Sequence, residues 1–286
     1  MDAPPQHEDC RPFVKVATLM SEAGLNVPKV LAQDLDRGFL LLTDLGTETY
    51  LQVLERDRSL APGLFDAATS ALVTWQASSR ADVLPPYDEA LLRRELGLFP
   101  EWYLGRHLGL ELSADAREQL ERFQTVLLAN ILGQQKVFVH RDFMPRNLMV
   151  GEPNPGILDF QDAVHGPVSY DVASLFRDAF MSWEEPEVLD GTIRYWDKAR
   201  RAGLPVPGDF GDFYRDVEWM GLQRHLKVLG IFARLSHRDG KKGYLEDTPR
   251  FLRYARSTAQ RYRELSGLLP FLDAAEGVPP VTGLTF

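Results

Sequence analysis

Apolar residues first fall on one helical face in residues 9–24, DCRPFVKVATLMSEAG, where Phe13, Val16, Ala17 and Met20 recur at the spacing of an amphipathic helix. Asp9 stands in the N-cap position, Pro12 suits the first turn and Gly24 suits the stop. The period then changes. Residues 27–34, VPKVLAQD, and 38–45, GFLLLTDL, read as two strands about a polar turn from Gln33 to Gly38. From about residue 47 helical patterns dominate, over 48–57, 63–80, 88–107 and 113–135. Short apolar runs at 137–139, 147–150 and 156–159 read as strands, and helical patterns return at 169–182, 186–202, 209–235 and 248–266. Pro and Gly in 267–286 predict an irregular tail. Helices and strands are segregated rather than alternating, which predicts an α+β fold. A helix and two strands in residues 1–46 precede a mainly helical body, 47–286, holding one small strand cluster.

Composition narrows the setting. The 286 residues are 44% hydrophobic, enough for one large domain or two unequal ones. A net charge of −9 argues against a nucleic-acid binder, whose affinity comes largely from cations neutralising phosphates. No apolar run reaches the ~20 residues that span a bilayer. The start, MDAPPQHEDC, lacks a basic segment followed by an apolar one, so it does not read as a secretory signal. The single cysteine, Cys10, excludes an internal disulfide and a cysteine-rich zinc site. A cytoplasmic protein with no membrane or nucleic-acid partner is expected.

The chemistry gathers in VHRDFMPRNLMV, residues 139–150, and GILDFQD, residues 156–162. Asp142 follows a strand, Asn147 opens the next one and Asp159 closes the third. A hairpin-like return would bring Asn147 and Asp159 together with Asp142 facing the same opening. An amide oxygen and a carboxylate are hard ligands of the kind Mg²⁺ accepts beside phosphate oxygens. The remaining carboxylate, Asp142, is then free to take a proton from an attacking hydroxyl.

His140-Arg141-Asp142, Asn147 and Asp159-Phe160 resemble the catalytic and metal loops of protein kinases. Two departures matter: Gln161 stands where protein kinases have glycine, and GPVSYDVASLFRD, residues 166–178, follows without a long activation segment. Both point to the aminoglycoside phosphotransferase and choline kinase branch. The longer strings MDAPPQHEDCRPFV, HRDFMPRNLM, LDFQDAVHGPVSYDVASLFRDAF and EWMGLQRHLKVLGIFAR resemble the bacterial anomeric amino-sugar kinases of cell-wall recycling. That resemblance implies a protein-kinase-like, two-lobed fold and ATP- and Mg²⁺-dependent phosphorylation of the C1 hydroxyl of N-acetylmuramate or N-acetylglucosamine. It implies Asp142 as catalytic base, Asn147 and Asp159 as metal ligands, and His140 as a structural residue bonding backbone near Asp159. Asp171 in SYDVASL would steady the catalytic loop, against the alternative of a carboxylate favoured by its own helix dipole. Backbone groups at Thr43, Asp44 and Leu45 would receive adenine. Asp162 reads equally as a metal or substrate contact or as a solvated side chain.

Only part of a kinase small lobe precedes the first helix, with no phosphate-covering glycine loop and no phosphate-pairing lysine. This is expected to reflect either a truncated lobe or a nucleotide held mostly by the large lobe. A lactyl carboxylate on the substrate calls for arginine, and Arg146, Arg177 and Arg224 are candidates, each weighed against ordinary surface pairing. Sugar stacking nominates Trp183 and Trp219, although Trp219 shares helical spacing with Leu222, Leu226 and Leu229 and reads first as core. His225, on the same helix, reads as packing, and the run RDGKKGY at 238–244 as a solvated loop. Two alternatives stay open: a kinase of aminoglycosides, and a sugar-binding protein with the fold but without catalysis.

Overall fold

The computed structural model describes residues 1–6 and 8–278. Helix α1, Arg11–Glu22, buries Phe13, Val16, Ala17 and Met20, the four residues of the expected face. The N-cap position itself is Cys10, and Asp9 one residue earlier accepts the Arg11 N–H at 3.0 Å. Gly24 ends the helix at φ +83°, a conformation that costs other residues steric strain. Strands β1, Val30–Asp34, and β2, Phe39–Leu42, pair antiparallel as expected. The turn between them is closed by the Asp34 carboxylate, which accepts the Arg37 N–H at 3.1 Å.

Helix α2, Tyr50–Arg56, starts with a capping box between Thr49 and Gln52, and α3, Ala61–Ala77, follows. The expected helix over 88–107 divides into α4, Glu89–Leu98, and a wider π-helical stretch, Phe99–His107. Pro100 stands at that change, where its missing N–H and its ring disfavour a continuing α-helical ladder. Helix α5 is Ala114–Gly133. Strand β3, Lys136–Val139, leads to the polar cluster, β4, Leu148–Met149, and β5, Gly156–Ile157, form a small hairpin, and β6, Val164–Pro167, pairs antiparallel with β3. Strand β6 was not anticipated from the sequence. Helix α6, Tyr170–Phe176, stops six residues short of the expected 169–182, whereas α7, Glu185–Arg201, and α8, Phe210–His237, match their patterns, and α9, Thr248–Arg261, stops five short of the expected 248–266. A 3₁₀ turn, Arg263–Leu268, replaces the end of the expected 248–266 helix and the start of the expected irregular tail, and the tail needs further correction because α10, Leu269–Ala275, is helical, with Pro270 in its first turn. Proline there starts a helix rather than breaking one. The rest of the expected irregular tail, 279–286, lies outside the described residues.

The chain forms two compact units, one from Met1–Tyr87 with Gln135–Val217 and the other from Asp88–Gln134 with Glu218–Phe286. The first holds the whole polar cluster. Its core includes Trp75 packed on Phe138 at 4.9 Å between ring centres, which fixes β3 against α3. In the second, Glu95 is buried and pairs with Lys227 at 2.9 Å, while Gln223 donates to it at 3.2 Å.

Candidate functional site

Strand β3 delivers the chain into a loop held from behind by α6. Asp171, fully buried in the first turn of α6, accepts the backbone N–H of His140 at 2.7 Å and of Arg141 at 2.9 Å. These bonds hold Arg141 at φ +78°, a left-handed conformation of order 1–3 kcal/mol above the usual regions. His140 is buried between Phe143 and Phe160, and its Nδ1 accepts the Asp142 N–H at 3.2 Å. The proton therefore sits on Nε2, which meets the Leu158 backbone with geometry short of a full hydrogen bond. Burial holds the His140 pKa below its ordinary value, opposed by the nearby Asp142 and Asp159 charges. The ring is thus a neutral strut. It fixes the backbone at Asp142 and leaves the half-buried Asp142 carboxylate without a hydrogen bond among the described residues.

The second half of the cluster hangs on the β4–β5 hairpin. Leu148 faces Ile157, and the Leu158 N–H donates to the Asn147 carbonyl at 2.9 Å. This register places Asn147 and Asp159 side by side. The Asn147 Nδ2 donates to the Asp142 carbonyl at 2.9 Å and to Asp159 Oδ2 at 3.1 Å. With the amide nitrogen so engaged, Asn147 Oδ1 is left as an acceptor. Asp159 sits at φ +64°, and its Oδ1 accepts from Gln161 Nε2 at 3.1 Å. Asp142, Asn147 and Asp159 therefore meet through one hydrogen-bonded loop pair. Helix α1 supports the second loop: Phe13 packs on Phe160 at 4.8 Å between ring centres. The segment after β2 runs beside the same hairpin, since Leu45 lies against Gly156 and the Val150 N–H donates to the Glu48 carbonyl at 2.9 Å. Thr43 exchanges bonds with Lys29 at 2.9 and 3.0 Å, and the exposed Asp44 accepts the Gly46 N–H at 2.9 Å.

The sequence matches the phosphotransferase enzyme family over residues 1–206. The chain belongs to that family. This phosphotransferase is 58% identical over 268 residues to an N-acetylmuramate/N-acetylglucosamine kinase of Pseudomonas aeruginosa, covering 94% of this chain and 79% of that one. It is 50% identical to the enzyme of the same name from Neisseria meningitidis, covering all of this chain and 86% of that one. Among solved structures, the choline kinase LicA from Streptococcus pneumoniae superposes with a TM-score of 0.61 at 14% identity, covering 86% of this chain and 80% of that one. The ADP-bound aminoglycoside phosphotransferase APH(2'')-Ib superposes with a TM-score of 0.58 at 15% identity, covering 87% and 83%. The kinase-like fold expected from the motifs is the fold observed.

The remaining candidates of this phosphotransferase separate clearly. Arg146, between Pro145 and Asn147, is exposed and stacks on Phe180 at 4.7 Å from the ring centre. Asp162 is exposed and lines an open cavity of about 490 Å³ with Lys15, Arg141 and Gln161. Arg177 is committed to an ion pair with Glu185, whose other oxygen accepts from the Tyr214 hydroxyl at 2.7 Å. Trp183 is 5% exposed, edge-on to Phe65 at 5.2 Å and under the Arg58 guanidinium, in the wall of a separate cavity of about 210 Å³. Arg224 is 3% exposed and lies in the second unit, as do the buried Trp219 and His225. Sequence reasoning missed Gln161 as the partner of Asp159; a long amide in place of the expected glycine was the signal. It also missed Phe180, which no spacing rule ties to Arg146.

Proposed function

We propose that this phosphotransferase moves the γ-phosphoryl group of ATP to the anomeric C1 hydroxyl of N-acetylmuramate or N-acetylglucosamine, in cytoplasmic recycling of cell-wall sugars. The observation that carries the kinase reading is the Asp142 carboxylate, without a hydrogen bond among the described residues, beside the paired Asn147 and Asp159. The sugar comes from the relatives named N-acetylmuramate/N-acetylglucosamine kinase at 58% and 50% identity. Residues 1–46 serve as the small lobe and 47–286 as the large one, with the Thr43 carbonyl, its N–H being bonded to Lys29, and backbone groups of Asp44 and Leu45 offered to adenine.

The donor set fits magnesium. Asn147 Oδ1 and Asp159 are hard oxygens, and among the described residues no group of three or more His, Cys, Asp or Glu gathers to enclose a metal. Such a pair matches a cation that takes one or two protein ligands and completes its shell with phosphate oxygens and water. Asn147 Oδ1 and Asp159 would hold magnesium there, and the ion would supply charge neutralisation for the phosphate groups. Asp142 would orient the sugar hydroxyl and accept its proton as the oxygen bonds to phosphorus and the bond to the β-phosphate oxygen breaks, releasing ADP. His140 and Asp171 keep the Asp142 backbone in place, so the work of the protein is positioning.

The test is mass detection of a phosphorylated product from a panel of N-acetyl sugars and aminoglycosides with Mg-ATP, followed by NMR assignment of its position. Phosphate on C1 of an N-acetyl sugar is the expected result. Phosphorylated aminoglycosides with untouched sugars would overturn the choice of acceptor, and no product from any acceptor would overturn the kinase reading.

A further inference from the structure

The geometry points to Arg146 as an anion subsite for the lactyl carboxylate of N-acetylmuramate, making it the residue that sets preference between the two sugars. This rests on the sugar-kinase reading and deepens it. Of the three arginines the sequence nominates, Arg177 pairs with Glu185 and Arg224 is buried in the other unit. Arg146 alone of these lies in the loop that carries Asp142 and Asn147. It is exposed and has no hydrogen bond or ion pair among the described residues.

Its orientation separates carboxylate from phosphate. Pro145–Asn147 is a 3₁₀ turn, in which successive side chains point about 120° apart. Asn147 uses its direction to reach Asp159 and is 7% exposed, whereas Arg146 faces Phe180, on the chain beyond α6. Arg146 therefore projects away from the metal-phosphate pair while its Cα stays about 3.8 Å from that of Asn147. The guanidinium carbon lies 4.7 Å from the Phe180 ring centre, and the N–H groups, without a partner among the described residues, are available to form two parallel bonds to a carboxylate. A cation at this position would offset repulsion between an anionic substrate and a chain of net charge −9.

The experiment compares kcat/KM for N-acetylmuramate, its methyl ester and N-acetylglucosamine in the wild-type enzyme, Arg146→Gln, Arg146→Lys and Phe180→Leu. Loss of a charge-assisted bidentate contact is expected to lower the acid-to-ester and acid-to-glucosamine ratios about tenfold or more in Arg146→Gln. Arg146→Lys should restore part of each ratio, and Phe180→Leu should lower both by less. Ratios unchanged in Arg146→Gln overturn the subsite, as does an equal fall on all three substrates, which would place Arg146 on the transferring phosphoryl group. A wild-type enzyme that phosphorylates only N-acetylglucosamine overturns the subsite alone, and one that phosphorylates none of the three overturns the sugar-kinase reading itself.

Discussion

Asp171 controls the conformation of two residues far upstream of it. Its carboxylate is the acceptor for both N–H groups that turn the chain into the loop carrying Asp142. A carboxylate serving only its own helix dipole would not make those bonds. Asp171→Ala leaves the buried His140 N–H and the part-buried Arg141 N–H without that acceptor, at up to about 1–3 kcal/mol each. Urea unfolding should show a loss of about 2–5 kcal/mol, and a loss below about 0.5 kcal/mol would mean the loop holds itself. His140 gives a pH signature. Its folded-state pKa is lowered by burial, so in the acid range the unfolded chain takes up a proton that the folded chain refuses. Its stability contribution is intact above the ordinary histidine value of about 6.5 and is lost as pH falls below it. In His140→Gln the stability-versus-pH slope just below pH 6.5 should be shallower by up to about 1.4 kcal/mol per unit. An unchanged slope would show that the ring takes up its proton equally in both states. That Asp142, Asn147 and Asp159 come together was legible because their spacing is local. Gln161 and Phe180 were not, because their partners are set by loop conformations that no periodicity encodes.

At the scale of elements, legibility tracked length. Helix α1 was readable to its individual buried residues because twelve residues carry a full amphipathic pattern. Strand β6 was not, because Val164–Pro167 holds a glycine and a proline in four residues and owes its existence to pairing with β3. Helix α10 is hidden in the sequence because its proline, which there opens the first turn, equally marks loops. Close helix approach is equally silent in sequence. In the second unit, α8 presents Gly230 to the backbone of Leu98 in α4, and a Cβ added there would lie well inside contact distance. Gly230→Ala is therefore expected to cost about 1–3 kcal/mol or more, despite the better helix propensity of alanine. Thermal unfolding should show a lower Tm, and a raised Tm would mean that α4 yields.

The whole molecule is an acidic phosphotransferase built from two interleaved units, each drawn from two separate stretches of sequence. Such interleaving is invisible to composition, which marks a change near residue 47 and says nothing of which stretches pack together. Among the described residues no helix is long and apolar enough to cross a membrane. The catalytic proposal nevertheless concentrates in very few atoms, those of Asp142, Asn147 and Asp159. The most direct test measures sugar phosphorylation and Mg-ATP affinity side by side in the wild-type enzyme and Asp142→Asn. The account predicts nucleotide affinity retained and turnover reduced by about 10²–10⁴, the usual contribution of a positioned base. Turnover in Asp142→Asn close to that of the wild-type enzyme would contradict it.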